Sequence, residues 1–322
     1  MLKYLSVLLA ILLAWTPQQA RAQTVPPALV SWWVANAPTC RAPDGFTFPA
    51  KLSASGDCDD GDMTLFAGLL CAVGEPIGCE SVRRSQTASG SWHRSPRRAQ
   101  TNNLGSPNSF SPDMALGAEL YLVAAKDKSA GNAWLNWMDD VRPCLIGSGD
   151  SCLQSPLLRF CTDDDEKGCT VRPGDASMLD ALVKYVPLSP PTEDMRNLFH
   201  QAGLNMMDLL WGSAQLNQPG YSQHLVALQI LLLRRMGYAD ERLRTAASTL
   251  SSKQGRNPFF AYLNEGRTPH VLELTLAQCP SPKTGVPKNR TQWAWEREDG
   301  ENAWRESMIW DCIFMARLLE RG

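Results

Sequence analysis

The ten cysteines of this chain constrain its fold more than any other feature of the sequence. An even number of cysteines in an exported chain is typical of a disulfide framework. Three pairs are each eight positions apart, across turns rich in Gly, Pro, Ser or Asp, and this spacing favours local pairing. Spacing alone leaves the connectivity open, and the simplest pairing joins Cys40 to Cys58, Cys71 to Cys79, Cys144 to Cys152, Cys161 to Cys169 and Cys279 to Cys312.

A structural zinc site is the alternative role for so many cysteines. The sequence argues against it, because no Cys-x-x-Cys occurs and the four histidines are scattered along the chain. We therefore expect no metal and no other cofactor.

Residues 1–22 have the pattern of a cleavable secretory signal peptide. Lys3 precedes an apolar run from Leu5 to Trp15, and the segment ends in Ala20-Arg21-Ala22. The run is too short to cross a bilayer, which takes about 20 apolar residues, and no later run is long enough. A buried N-terminal helix is the alternative interpretation. We expect cleavage after Ala22 and a mature protein that is periplasmic or secreted.

The mature chain is long enough to build one large hydrophobic core or two smaller ones. Its charges nearly balance, with a formal net charge of −2, so composition does not indicate a nucleic-acid or anionic-membrane partner. No repeat or low-complexity segment divides the sequence. We therefore predict a monomer with a single domain over residues 23–322, in which residues 23–58 form an extended lead-in pinned by Cys40 and Cys58.

Helical periodicity dominates the sequence after the lead-in, and strand signals are weak. Apolar residues from Met63 to Leu70 follow the 3.6-residue period until Gly74 ends the segment. Ser111 and Pro112 then provide an N-cap and a first helical residue. Further helices are predicted over residues 130–141, 177–186, 193–211, 221–236, 239–252, 257–264, 268–277 and 300–320, with an irregular, cysteine-clamped stretch over 142–175. The predicted fold class is all-α.

Two neighbouring segments indicate how these helices are layered. The segment from Leu225 to Leu233 is apolar almost all round, so we expect it to be buried on every side. Its neighbour over residues 239–252 is amphipathic, with Arg242 and Arg244 on its polar face. A buried helix beside an amphipathic one is what an inner and an outer layer of helices would produce.

Acidic residues stand at the starts of two predicted helices. Asp62 directly precedes one helix and Asp113 lies in the first turn of another, and each is followed by Met, a small residue, Leu and a Gly that permits close helix packing. Helix capping is the simplest role for such acids, and each contributes about 0.3–1 kcal/mol. Capping does not account for the further acids Asp57, Asp59 and Asp60. If both helix starts face one cleft, Asp62 and Asp113 form a carboxylate pair suited to general acid and base catalysis.

The segment between these acids, residues 75–110, is predicted to be one long loop, and loops of that length are often functional. It carries an aromatic ring that can stack on a sugar, a histidine, and arginines that can bind carboxylate or hydroxyl groups. The alternative is a surface loop whose arginines pair with the nearby acids. The candidate substrate-binding residues are Trp92, His93, Arg94 and Arg97, with Asp59 and Asp60 as further candidates.

Aromatic and polar residues near the C-terminus are the remaining candidates. Trp295 and Glu296 fall in a predicted loop and are candidates for substrate binding, whereas Trp304 and Trp310 share a helical face with apolar residues and are expected in the core. His224 stands at a helix start, where a lone histidine more often caps the helix or packs in the core. The chain has no Gly-x-Ser-x-Gly, phosphate-binding Gly loop or His-Glu-x-x-His motif, so these hydrolase and nucleotide-enzyme classes lack support.

The combination of an exported helical chain, acids at helix starts and aromatic residues in loops resembles the (α/α)-toroid carbohydrate-active enzymes. This resemblance spans roughly residues 57–320 as architecture and implies a toroid-like helical barrel whose inner helices converge on a cleft. The irregular stretch over 142–175 departs from a regular toroid. The residues that carry the resemblance are Gly61-Asp62-Met63, Trp92-His93-Arg94-Ser95, Ser111-Pro112-Asp113-Met114-Ala115-Leu116-Gly117 and Trp295-Glu296-Arg297.

The resemblance implies a glycoside hydrolase that acts on a polysaccharide or oligosaccharide, with Asp62 and Asp113 as catalytic carboxylates and Asp59 or Asp60 as substitutes for Asp62. The first alternative is a polysaccharide lyase, in which His93 or Tyr221 abstracts a proton beside a uronate carboxylate that an arginine neutralises. The second is a non-catalytic protein that binds glycan on an open face lined by tryptophans. The sequence does not choose between an inverting and a retaining hydrolase.

Overall fold

The structure is a computed structural model, and it describes residues 24–53, 55–101, 110–162, 169–286 and 309–321. The predicted signal peptide, the candidates Trp295 and Glu296, and Trp304 lie outside the described residues.

Helices account for most of the described residues, as the sequence predicted. No helix in these ranges is both long and apolar enough to cross a bilayer. The helices are α1 (Pro27–Asn36), α2 (Met63–Ala72), α3 (Pro76–Arg84), α4 (Pro96–Gln100), α5 (Pro112–Ala125), α6 (Lys128–Asp140), α7 (Pro173–Tyr185), α8 (Glu193–Gly203), α9 (Met206–Leu216), α10 (Tyr221–Arg235), α11 (Glu241–Lys253), α12 (Pro258–Glu265), α13 (Pro269–Gln278) and α14 (Trp310–Arg321). The strands form short antiparallel pairs: β1 (Thr39–Arg41) with β2 (Thr47–Pro49), β3 (Lys51–Leu52) with β4 (Cys58–Asp59), and β5 (Cys144–Ile146) with β6 (Leu153–Gln154).

The helices form an inner and an outer set. Every residue of Met63–Cys71 in α2 and of Met114–Val123 in α5 is buried, and α10 and α14 are buried on almost every face. The outer helix α11 instead buries one face, through Leu243, Ala246, Ala247 and Leu250. An apolar helix can be buried all round only if others cover it, so the layering expected from residues 225–252 is confirmed.

The inner helices run in the same direction. The C-terminal ends of α2, α5, α7, α10 and α14 line a single cavity, to which they contribute Gly74, Lys126, Tyr185, Arg235 and Arg321 among others. Because these helices pack against one another and share this end, their first turns lie together at the opposite end. We call that end the acid face and define it by the residues that begin these helices: Met63, Pro112, Pro173, Tyr221 and Trp310.

Long connections lead into the inner helices at the acid face, because each outer helix returns antiparallel to the inner helix before it. Segments 37–62, 85–111 and 141–172 are of this kind, whereas 73–75 and 126–127 are short turns at the other end. All five predicted disulfides are present. Cys40–Cys58, Cys144–Cys152 and Cys161–Cys169 brace the long connections, Cys71–Cys79 joins α2 to α3, and Cys279–Cys312 ties the end of α13 to α14.

The first and last described helices, α1 and α14, pack together. Trp33 Nε1 in α1 donates a 2.7 Å hydrogen bond to the Pro280 carbonyl. Trp310 Nε1 in α14 donates a 2.6 Å hydrogen bond to the Pro38 carbonyl. Trp310 is buried, as the sequence predicted. Each indole thus satisfies its N–H while its ring fills the core, and α1 becomes the outer partner of α14.

Two glycines set the contact between α2 and α5, the inner helices that carry Asp62 and Asp113. A Cβ atom on Gly68 would lie 2.2 Å from the Gly117 carbonyl oxygen, and one on Gly117 would lie 2.3 Å from the Thr64 carbonyl oxygen. Both distances are far below van der Waals contact, so only glycine fits at either position. The predicted close helix packing is confirmed, and it holds the two helix starts next to each other.

Three predictions for the fold are wrong in detail. The lead-in contains helix α1 and short strand pairs, residues 75–110 contain helices α3 and α4, and residues 193–211 divide between α8 and α9. Helix α3 is difficult to recognise because it is an outer helix with few apolar residues, and its start is marked only by Pro76 in the first turn.

Candidate functional site

Asp62 does not cap the helix that it precedes. Its side chain makes no capping hydrogen bond; instead, the Thr64 N–H donates to the Arg94 carbonyl at 2.9 Å, and Thr64 Oγ1 donates to the His93 carbonyl at 2.5 Å. The Asp62 carboxylate is bonded to Lys51 Nζ and lies 3.4 Å from Arg94 Nη1, with 30% of the side chain exposed. The simplest structural role for Asp62 therefore does not apply, and its carboxylate is partly open to solvent.

Asp113 connects two inner helices through its carboxylate. Ser111 Oγ donates to Oδ1, and Tyr221 Oη, at the start of α10, donates to Oδ2 at 2.5 Å. Asp113 and Tyr221 are both partly exposed. A carboxylate with a hydroxyl donor on each oxygen has a fixed orientation, which is what positioning a reacting group requires.

Arg94 brings Asp62 and Asp113 into one network. Its Nη1 donates to the Gly61 carbonyl at 2.8 Å and faces Asp62, while its Nη2 donates to Ser111 Oγ at 3.0 Å. Ser111 in turn donates to Asp113. The Arg94 guanidinium therefore contacts Asp62 directly and is linked to Asp113 through the Ser111 hydroxyl. Arg94 is 7% exposed, and its planar donors therefore act inside the protein, where hydrogen bonds to charge are strong.

Asp60 and Arg97, two of the predicted substrate-binding residues, bind each other in the structure. Asp60 is fully buried and accepts two hydrogen bonds from Arg97, at 2.6 and 2.8 Å, and one from Ser95 at 2.6 Å. Arg98 Nε is a further donor at 3.2 Å. Burial by itself raises the pKa of Asp60, but hydrogen bonds from Arg97 and Ser95 outweigh it, so this pKa lies below the ordinary 3.8. The cluster anchors the segment that carries Arg94, as the alternative of arginines paired with nearby acids predicted.

Asp59 lies beside this cluster, and its Oδ1 accepts the Gly61 N–H at 3.5 Å. It is partly buried and follows Cys58 in strand β4. Its observed contact supports the turn that precedes Asp62. Asp57, two positions earlier, is exposed and accepts from Ser55 Oγ at 2.6 Å.

The predicted sugar-stacking role of Trp92 is wrong for this structure. The side chain is 1% exposed, and its ring packs edge-on against Tyr121 and Trp134 at centroid distances of 5.9 and 6.4 Å. Trp92 is a core residue because α5 and α6 supply aromatic surfaces that the local sequence around it does not reveal. Trp33 and Trp134 are fully buried as well, so these indoles do not form an open sugar-binding face.

The two histidine candidates are also interior residues. His93 is 1% exposed. Its backbone N–H donates to the Ser85 carbonyl at 2.8 Å, and its backbone carbonyl accepts a hydrogen bond from Thr64 Oγ1. His224 is fully buried below Tyr221, with ring centroids 6.2 Å apart. Burial lowers the pKa of His224 to about 3, so the imidazole is neutral at pH 7. Both histidines support residues of the acid face from beneath.

Asp175 and Glu119 are acids near Asp113 that the sequence analysis missed. Asp175 lies in the first turn of α7 and accepts the Arg172 N–H at 2.9 Å. Burial raises its pKa to about 6, opposed by Arg172 and reinforced by the charge of Asp113. Glu119 is buried inside α5, and its pKa lies well above 4.5, first because of burial and then because of Asp175. Pro173-Gly174-Asp175 repeats the pattern of a proline at the helix start followed by an acid, and this signal could have found Asp175.

Lys51 and Asp311 extend the network to the last inner helix. Asp311 is 2% exposed in the first turn of α14. Burial raises its pKa well above 3.8, and the positive charge of Lys51 acts in the opposite direction. Lys51, itself 4% exposed, reaches this position from strand β3 and also binds Asp62. A lysine in the lead-in therefore interacts with acids from two inner helices.

The acid face thus combines acids from four inner helices with the cations Lys51 and Arg94. Partly exposed carboxylates that lie in one hydrogen-bond network are suited to general acid and base catalysis. Within the described ranges, no cluster of three or more His, Cys, Asp or Glu side chains is placed to hold a metal ion. Comparisons of the chain with models of known families, with characterised proteins and with solved structures found no match.

Proposed function

We propose that this protein is a glycoside hydrolase that works outside the cytoplasm on a polysaccharide or oligosaccharide. The observation that carries the proposal is the joining of Asp62 and Asp113 through Arg94 and Ser111 on one partly exposed face. Hydrolysis of a glycosidic bond in most such enzymes uses two carboxyl groups on either side of that bond. The five disulfides fit an oxidising compartment and support the proposed export.

We further propose that the helices form an (α/α)-toroid. Three features support it: parallel inner helices, outer helices that follow them through short turns, and the packing of α1 on α14. In a toroid the first turns of the inner helices surround one cleft, which would put acids from different parts of the chain within reach of one substrate. The long connections at the acid face would then form the walls of that cleft.

In the proposed mechanism one carboxyl group protonates the leaving oxygen and the other activates water or attacks the sugar. Asp62, bonded to Lys51 and Arg94, has its charge balanced within the site. Asp113 is oriented by Ser111 and Tyr221. Arg94 and Ser111 stand between the two acids, and such an insertion favours the wider spacing of inverting enzymes, about 6.5–9.5 Å, over the about 5–5.5 Å of retaining ones. The configuration of the released sugar, followed by NMR, tests this choice.

The experiment that tests the proposed activity is a screen of purified protein against polysaccharides, with release of reducing ends as the readout. Asp62→Asn and Asp113→Asn should each abolish cleavage and keep the thermal unfolding temperature close to that of the wild type. Asp57→Asn is the matched control, because Asp57 belongs to the same acidic run but is exposed. Undiminished cleavage by Asp113→Asn would remove Asp113 from the mechanism, and no cleavage of any polymer would refute the hydrolase proposal.

A polysaccharide lyase is the second candidate, and the contact between Tyr221 and Asp113 favours it. The Tyr221 hydroxyl, 2.5 Å from the Asp113 carboxylate, could pass its proton to Asp113. The phenolate would then remove the proton beside the uronate carboxylate, the glycosidic C–O bond would break, and Asp113 would protonate the departing oxygen. His93, the other base considered, is buried and less suited to this role. Products of a lyase carry an unsaturated sugar that absorbs ultraviolet light. Its appearance on a uronate polymer would establish elimination in place of hydrolysis.

A further inference from the structure

A concave site lies at the end of the inner helices opposite to the acids. The cavity has a volume of about 450 Å³, within the range of about 300–1,000 Å³ found for small-molecule sites. Its walls include the apolar side chains of Leu120 and Val123 and the ring of Tyr185. We call it the basal cavity.

Three cations line the basal cavity: Lys126, Arg235 and Arg321. Each comes from a different inner helix, and no acidic side chain is among the described residues that line the cavity. The nearest carboxylate contact of Arg321 is with Glu320, 3.8 Å from Nε. Lys126 Nζ stands 2.9 Å from the centroid of the Tyr185 ring, so its charge lies against an aromatic wall of the cavity.

Interaction with a helix C-terminus can explain why each of these cations is present, but not why the three lie around one cavity. A positive side chain in the last turn of a helix is stabilised by the exposed carbonyl groups there. That effect does not require three cations from separate helices to converge on one cavity. The convergence leaves a recess with a positive potential and an apolar wall, which is the chemistry that recognises an anion with a carbon skeleton.

The backbone around the cavity is shaped for this arrangement. Lys126 has φ of 54°, a left-handed conformation that glycine usually occupies at the end of a helix. Gly74 has φ of 82°, and a Cβ atom there would lie 2.5 Å from Arg321 Nη1. Glycine at position 74 leaves the room that Arg321 uses to donate to the Gly74 carbonyl at 2.8 Å.

We propose that the basal cavity binds a small free organic anion, a carboxylate or a phosphate ester, between Lys126, Arg235 and Arg321. The anionic group would contact the three cations, and the carbon skeleton would lie against Tyr185, Leu120 and Val123. This site is distinct from the acid face and does not depend on the hydrolase proposal.

Calorimetry and thermal unfolding of the full chain test the proposal, with citrate and inorganic phosphate as probes at constant ionic strength. Wild-type protein should bind citrate saturably and unfold at a higher temperature in its presence. Lys126→Gln and Arg235→Gln should each weaken binding about tenfold or more, because each removes a charged donor. Lys128→Gln is the matched control: it removes the same charge at the same end of the helices but does not line the cavity.

The outcomes separate the proposal from its alternatives. Equal binding by all variants would place the anion elsewhere and overturn the proposal, as would the absence of saturable binding of either probe. Circular dichroism of each variant without probe shows whether it is folded, and the two substitutions on different helices keep the test valid if one of them destabilises the chain. Binding to phosphatidylglycerol vesicles without binding of the free anions would also overturn the proposal, since the bound ligand would then be a lipid headgroup and not a small free anion.

Discussion

Tyr221 donates a hydrogen bond of 2.5 Å to Asp113 although the two residues are 108 positions apart in the sequence. The bond joins the first turn of α10 to the first turn of α5. Ser111 occupies the other carboxylate oxygen, so the direction of the Asp113 side chain depends on a donor from each of two helices.

The first prediction concerns this bond. Tyr221→Phe should lower turnover about ten- to a hundredfold, because a hydrogen bond to a charged acceptor contributes about 1.5–3 kcal/mol. Tyr121→Phe is the matched control. Tyr121 lies in α5, the helix that also carries Asp113, and its Oη donates to Asp127 at 2.6 Å near the other end of that helix. It should cost similar stability and leave turnover unchanged. Equal losses of activity in the two variants would show that the Tyr221 hydroxyl acts only on stability.

The second prediction concerns the pH dependence of stability at Asp175. Its folded-state pKa is about 6, above the ordinary 3.8, so the folded protein retains a proton that the unfolded chain releases between these values. Stability from this group is therefore present at low pH and is lost as pH rises through about 6, by about 2–3 kcal/mol in total. Asp175→Asn removes the ionisation and keeps an acceptor for the Arg172 N–H.

The Asp175→Asn variant should consequently be more stable than the wild type at pH 8 and show no such gain at pH 4. Urea unfolding at the two pH values measures the difference. Asp57→Asn, at an exposed position of the lead-in, should change stability little at either pH. A gain for Asp175→Asn of equal size at both values would contradict the burial of an ionised carboxylate.

The third prediction concerns the packing of α2 on α5. Gly68→Ala should destabilise the protein by about 1–3 kcal/mol or more, because its Cβ would meet the Gly117 backbone and the helices would have to separate. Gly212→Ala, inside α9 where a Cβ meets nothing within 4 Å, should instead stabilise by about 0.5–1 kcal/mol. Thermal unfolding of the two variants gives both values. A neutral Gly68→Ala would mean that the inner helices are not in backbone contact.

The fourth prediction compares two disulfides. Replacing both Cys279 and Cys312 by Ala should cost about 3–4 kcal/mol, and replacing both Cys144 and Cys152 about 2–3 kcal/mol, because the first bridge closes a loop of 33 positions and the second one of 8. Cys279 and Cys312 are also buried, so their removal leaves a packing defect as well. Peptide mapping of unreduced protein tests the connectivity directly, and thiols at Cys279 and Cys312 would refute their pairing.

Local signals explain most of the successful sequence predictions. Pro112 begins α5 and Gly74 follows the end of α2, as predicted, because such start and stop signals act within a few residues. The disulfides were predictable for the same reason, since three of them span only eight positions. The predicted capping role of Ser111 is wrong, since its hydroxyl bonds Asp113 and Arg94 and makes no capping hydrogen bond. Helix α3 was missed because it has only nine residues, and two of the three that it buries, Gly78 and Ser81, are not apolar side chains that a sequence pattern marks as core.

The candidate site was predictable in its residues but not in its contacts. Asp62, Asp113 and Arg94 could be chosen from the sequence as chemically suitable groups, and Asp60 and Trp92 were chosen by the same argument. Only the tertiary structure separates them. Asp60 is ion-paired with Arg97, which lies 37 positions later in the sequence. Trp92 is covered by aromatic rings of α5 and α6.

The sequence by itself determined the helical class and the buried or amphipathic character of residues 225–252, because these depend on periodicity along the chain. It favoured the five cysteine pairs but left their connectivity open. The tertiary structure decided which acids share a network and which cations converge on the basal cavity. Lys51, Asp62, Arg94 and Asp113 come from separate elements, and their contacts depend on the direction and spacing of packed helices. Helix packing follows from the fit of many side chains at once, and no local pattern encodes that fit.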